Sequence, residues 1–310
     1  TPMASIPPKL TAATNRGGEY FDLGTYERQI TTSSSEARIW FNRGLLWAYA
    51  FNHLEAVACF RKAVDADPDC AMAYWGISYA GGPYYNKQWH RFDDQDLLRT
   101  LSLAYGAAEE AQRRAASCSP VEQSLIKALQ ARYPSRDPDA DMSVWNDNYA
   151  DAMRAVYSDF PDDLDVCTLF VDAMMNRTPW ALWDLKSGEP LPGADTLEAI
   201  DVVHHGLALL ERSDGLEHAG LLHVYIHLME MSPRPEAALD AANRLRGLTP
   251  GAGHLCHMPT HIDVQCGHYN QVVESNRIAV EADRAFMGYA KSEMTFHALS
   301  RAHNFHFMLY

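Results

Sequence analysis

Along most of the chain, apolar residues recur at three- and four-residue spacing. The stretches SSEARIWFNRGLLWAYAFN, LEAVACFRKAVDAD, CAMAYWGISYA, LLRTLSLAYGAAEEAQRRAA, PVEQSLIKALQARY, TLEAIDVVHHGLALLER and RPEAALDAANRLRGL each place an apolar stripe on one side of a helix. Ser119-Pro120-Val121-Glu122 is a capping box with proline at the first helical position, which marks a helix start. Segments rich in Pro, Gly and Asp interrupt the pattern at 81–88, 134–141 and 179–195. No run of alternating β-branched residues predicts a sheet. The expected class is all-α.

The helices carry a repeat. From Trp40, the residues Gly44, Trp47, Ala56, Phe60, Ala63 and Pro68 fall at the spacings of the 34-residue helix-turn-helix pattern. Small residues in such a pair let two antiparallel helices approach, and aromatic rings fill the gaps between them. A second block begins at Ala219 and a third at Gly253, 34 residues later. Overlaid, His223 falls on His257 and His227 on His261. These blocks (37–70, 219–252 and 253–286) resemble tetratricopeptide repeats. The resemblance implies a right-handed superhelix of antiparallel helix pairs over 36–310, following an N-terminal extension at 1–35. In that fold the first helix of each pair lines the concave side.

The paired blocks bring the histidines together. His254, His257 and His261 fall within an arc of about 60° on an ideal helix, and so do His223, His227 and Glu230. His303 and His306 lie one turn apart near the C-terminus. Imidazoles one turn apart, joined by a carboxylate, are what a transition metal needs. The expected ligands are His223, His227, His257, His261, His303, His306 and Glu230. They suffice for one ion with catalytic histidines beside it, or for two ions. Copper or iron fits a set rich in His and poor in carboxylate, with zinc next. Glu230 and His254 are also candidate catalytic residues, Glu230 as a general base, and His53 at an interhelical turn is another. The competing account is that each histidine simply packs or bonds a neighbour. His204, His205, His218, His268 and His297 take that account, as surface or capping residues. Pro259, between His257 and His261, either starts or kinks the helix that bears them.

Composition narrows the partners. With 26 basic and 40 acidic residues, the net charge of −14 argues against nucleic acid and anionic membrane surfaces. No apolar run is long enough to span a bilayer. Six scattered cysteines without a C-x-x-C pair point to reduced thiols and a cytoplasmic setting. The N-terminal 18 residues read as a Pro-rich, poorly ordered lead-in without a signal pattern. No G-x-S-x-G, Walker A or G-x-G-x-x-G motif occurs. The oligomeric state stays open.

Several longer blocks resemble a group of tetratricopeptide-type proteins of bacteria and fungi. They are FNHLEA at 51–56, DPDCAMAYWG at 67–76, a Gly-Pro-x-x-Asn loop at 82–86, Trp180 and Trp183, PGAGHLCHMPTHI at 250–262 and HNFHF at 303–307. Asp263 and Gln265 stand where that group often has Tyr and Arg, which implies a different contact at that end. The resemblance implies a fold and no particular activity. Tyr74, Trp75, Tyr84, Tyr85, Trp180 and Trp183 either pack between helices or form a stacking wall for an aromatic or polyketide-like molecule. The leading expectation is a metal-dependent oxidoreductase or oxygenase acting on such a small molecule. One alternative is a non-enzymatic scaffold that binds a peptide or protein in its groove, although Lys291 is the sole lysine after Lys186 to clamp a carboxylate. The other is a zinc-dependent hydrolase.

Overall fold

Ser34 opens the first helix, α1 (Ser35–Tyr49), by accepting the Ala37 N–H at 3.1 Å. It is followed by α2 (His53–Ala66), capped by Asn52, and α3 (Ala71–Gly81). Phe60 of α2 is fully buried between Gly44 of α1 and Gly76 of α3. A Cβ at Gly44 would stand 2.7 Å from the ring, and one at Gly76 would stand 2.4 Å from it. Glycine at both positions lets three helices close on one aromatic ring.

In this computed structural model, residues 20–139, 141–213, 215–290 and 296–309 are described. The Pro-rich segment 1–18 lies outside them, as does the side chain of His297. The helices continue as α4 (Asp94–Arg114), α5 (Pro120–Arg132), α6 (Ser143–Asp159), α7 (Leu164–Met175) and α8 (Thr196–Arg212). Then come α9 (Ala219–Met229), α10 (Leu239–Leu245), α11 (Gly253–His257), α12 (Pro259–Gln265), α13 (Tyr269–Ala290) and α14 (Phe296–Phe307). Among the described residues no strand forms, and the protein is all-α. The capping box is present, with Glu122 accepting the Ser119 N–H at 2.8 Å. No described helix is long and apolar enough to cross a membrane. All six cysteines are free, and five are buried.

The chain divides into two compact units. The first comprises Tyr26–Val224 and Met231–Pro233. Its helices α1 to α8 pack each against the next. Residues 26–34, part of the segment read from the sequence as an extension, are tied into this unit. Arg28 Nη1 lies 2.8 Å from Asp163 and 2.7 Å from Asp165, and Thr31 donates from its N–H and its hydroxyl to Glu122.

The second unit takes residues up to Thr25, Tyr225–Glu230 and Arg234–Tyr310. Here α13 packs against α11, α12 and α14, and α10 against α12. Tyr20 and Phe21 set their rings edge-on to Tyr289, and Gly251 donates its N–H to the Asp22 carbonyl at 2.7 Å. Gly253 lets α11 lie directly on α13, because a Cβ there would come within 2.3 Å of Asp283 and 2.9 Å of the Ala279 carbonyl.

Candidate metal centre

Proline shapes the segment that carries the central histidines. Pro259 is the first residue of α12, where a missing N–H matters least, and Met258 before it keeps helical angles (φ −50°, ψ −38°). The Met258 N–H donates to His254 at 3.0 Å and the His261 N–H donates to Met258 at 3.2 Å. The chain therefore breaks its ladder without turning away. His257 and His261 stay on one side, and both are buried.

Three imidazole nitrogens meet within the second unit. Nε2 of His257 is 2.9 Å from Nε2 of His261, and Nε2 of His303, arriving from α14, is 3.5 Å from the same atom. The ligand atoms of the three residues all lie within 4.8 Å of one another. An ion holding nitrogens at about 2.0–2.1 Å separates them by about 2.9 Å at a right angle and about 3.3 Å at a tetrahedral one. The donor set fits a transition metal of that size.

The far sides of two rings are held. Asn276 Oδ1 lies 2.7 Å from His257 Nδ1, and Glu230 Oε2 lies 2.5 Å from His261 Nδ1. The other Glu230 oxygen is 2.6 Å from His227 Nδ1. His257 and His261 thus place their N–H on Nδ1 against an oxygen, which leaves each Nε2 lone pair for a cation. Gln265 donates to the carbonyls of both Glu230 and His261 and so ties α12 to the end of the preceding histidine-bearing segment. Phe307 covers the group, with its ring centroid 4.9, 4.8 and 4.6 Å from those of His257, His261 and His303.

Electrostatics favour neutral donors. Burial holds the His257 pKa well below its usual value, and the neighbouring His261 and His303 add to the effect. Burial, with His261 next, lowers His303 to about 4. For Glu230 burial acts to raise the pKa, but the facing imidazoles of His261 and His227 outweigh it and keep the carboxylate ionised.

The structure distributes the sequence candidates unevenly. His257, His261 and His303 converge. Glu230, expected as a ligand or base, has both oxygens engaged by Nδ1 atoms and acts through the histidines. His227 and His254 stack nearby in the same unit, their ring centroids 6.1 Å apart. His306 is exposed and one turn beyond His303. His223 precedes His227 by one turn on α9 and belongs to the first unit, where its Nδ1 is 2.6 Å from the Tyr49 carbonyl and its ring 4.5 Å from Phe51.

His53 also lies in the first unit. It is buried, its Nδ1 is 3.0 Å from the Ala80 carbonyl, and its ring stacks on Tyr84 at 3.9 Å. Burial drives its pKa down to about 3, so it remains a neutral packing residue in the absence of acid. The aromatic candidates pack within that unit too. Trp75 stacks on Tyr79 at 5.3 Å, Tyr85 on Trp180 at 4.9 Å, and Tyr74 lies under Arg114. Trp183 is buried, whereas Trp180 is 40% exposed and adopts a positive φ of 63°.

Among the remaining histidines, His218 departs from expectation. Read as a surface or capping residue, it does cap α9, with Nδ1 accepting the Leu221 N–H at 3.0 Å, but it is fully buried. Its Nε2 lies 3.1 Å from Asp165, which also accepts from Tyr26, Tyr49 and Arg28. Burial of that carboxylate accounts for the change. His205 and His268, both half-buried, sit beside Asp162 and the buried Asp263. Of the departures from the family-like block, Asp263 is buried against Arg246 at 3.0 Å and Gln265 makes the two carbonyl contacts above. Sequence reasoning missed Asn276 and the placement of Phe307, since neither belongs to a metal-ligand residue type.

No protein-family model matches this chain, and no curated protein matches it either.

Proposed function

We propose that the protein is a metal-dependent enzyme, with one transition-metal ion held by His257, His261 and His303. One observation carries the reading. Two imidazoles whose N–H groups are already committed at Nδ1 point their Nε2 lone pairs at each other across 2.9 Å. Bare lone pairs at that distance repel, and a cation between them would relieve the repulsion. A single proton would serve two nitrogens; the third, from His303 at 3.5 Å, favours a metal.

His257, His261 and His303 would hold the ion with three nitrogen donors, and it would supply Lewis-acid or redox chemistry to a small molecule. The side chains divide the remaining tasks. Glu230 holds the proton on His261 Nδ1 and adds negative charge behind the donor. Phe307 excludes water from one side and offers an apolar wall suited to an aromatic substrate. With Glu230 engaged elsewhere, the donor set departs from the two-histidine, one-carboxylate arrangement typical of non-haem iron and favours copper or zinc. We take a copper oxidoreductase as the leading form. A zinc hydrolase is the second, since three histidines suit zinc equally.

Elemental analysis of the purified protein, combined with its electron paramagnetic resonance spectrum, tests the reading. One equivalent of copper with nitrogen hyperfine structure is the expected result. One equivalent of zinc selects the hydrolase. A protein that takes up neither ion would be a scaffold of packed histidines.

A further inference from the structure

We infer that Asn276 is a positioning residue that locks His257 in the tautomer with a proton on Nδ1 and a bare Nε2. The inference rests on the metal reading of the site, although the tautomer itself exists without an ion. Asn276 comes from α13 and is fully buried. Its Nδ2 donates to the Val272 carbonyl, one turn back on the same helix, at 2.8 Å. That bond settles which end of the amide is oxygen. The flipped amide would press its oxygen against the Val272 carbonyl. Oδ1 must therefore face His257 Nδ1, 2.7 Å away, and can only accept.

A hydroxyl competes for the same nitrogen. Thr260 Oγ1 lies 3.3 Å from His257 Nδ1, and a hydroxyl can donate as well as accept. If Thr260 donated there, the proton would move to Nε2 and block the very atom that faces His261. The shorter contact, from an acceptor with no donor role open to it, decides the tautomer. The neutral amide also contrasts with the carboxylate behind His261. One donor is thus oriented without added charge, and the other is oriented and made more basic.

The test reads the tautomer directly. Nitrogen-15 imidazole spectra of the metal-free protein would be recorded, with His257 assigned by its loss in His257→Asn. The wild type is expected to show His257 protonated on Nδ1. Asn276→Leu is expected to move that proton to Nε2 and to weaken zinc binding by about 10- to 100-fold. Thr260→Val, which removes the competing hydroxyl, is expected to change neither the tautomer nor the affinity. Asn276→Ala serves if the leucine variant does not fold. A wild-type His257 protonated on Nε2, or a tautomer unmoved by loss of the amide, overturns the inference. If the tautomers behave as expected and the wild type binds no zinc, the metal reading fails and the role of Asn276 stands.

Discussion

Glu230 holds two histidines at once, with Oε1 2.6 Å from His227 Nδ1 and Oε2 2.5 Å from His261 Nδ1. One carboxylate therefore fixes the orientation of two rings on separate helical segments. It is buried, and its charge persists because both imidazoles face it.

Glu230→Gln tests that arrangement. The amide keeps one acceptor and turns the other contact into a donor, so one of the two imidazoles must reverse its tautomer. Metal affinity is expected to fall by about 10- to 100-fold while stoichiometry at saturation is unchanged. A titration showing wild-type affinity would remove Glu230 from the site.

Replacement of the converging histidines is expected to be non-additive. His261→Ala, whose Nε2 neighbours both others, is expected to lose most of the metal, and a further His303→Ala to lose little more. His306→Ala, at an exposed position, is expected to keep wild-type content. Metal analysis of the four proteins decides the matter, and full occupancy in the double variant would refute the shared centre.

His218→Ala separates stability from metal binding. It removes one donor from the buried Asp165 and the cap of α9, a loss of about 1–3 kcal/mol for an unsatisfied buried group. Thermal unfolding is expected several degrees lower, with metal content intact. An unchanged melting temperature would mean that Arg28, Tyr26 and Tyr49 suffice for that carboxylate.

Gly76→Ala probes the three-helix contact. The added methyl would stand 2.4 Å from the Phe60 ring, a distance real side chains avoid, so a helix must shift. Overpacking of this kind costs about 1–3 kcal/mol. Denaturant unfolding checks it, and Phe60→Leu in the same background is expected to restore part of the loss.

Asp283 gives stability a defined pH dependence. Burial, only partly opposed by the Asn304 amide, raises its carboxyl from 3.8 to about 7. Between those values the native protein retains a proton that the unfolded chain has released. The stability from that proton is full below pH 3.8 and is lost as pH rises toward about 7, at about 1.4 kcal/mol per unit. Asp283→Asn is expected to flatten this slope in denaturant titrations run across the window. A slope that survives the substitution would assign it to another group.

Local pattern was enough for much of this protein. The three- and four-residue spacing of apolar positions specified helices, and the Ser119–Glu122 box located the start of α5. The spacing of His257 and His261 put two imidazoles on one side of a segment before any partner was known. α7 gave no contrast between an inner and an outer side, because every residue from Asp165 to Met175 is buried, including the polar Asp165, Thr168 and Asp172. Periodicity says which side of a helix faces inward, and it carries no information about what that side meets. Only the tertiary structure decided that His303 of α14 joins His257 and His261, and that Asn276 of α13 stands behind His257. It likewise turned Glu230 from a candidate ligand into the partner of two Nδ1 atoms. These roles depend on distances of 2.5 to 3.5 Å between atoms of different helices, set by how the helices pack and by no single stretch of chain.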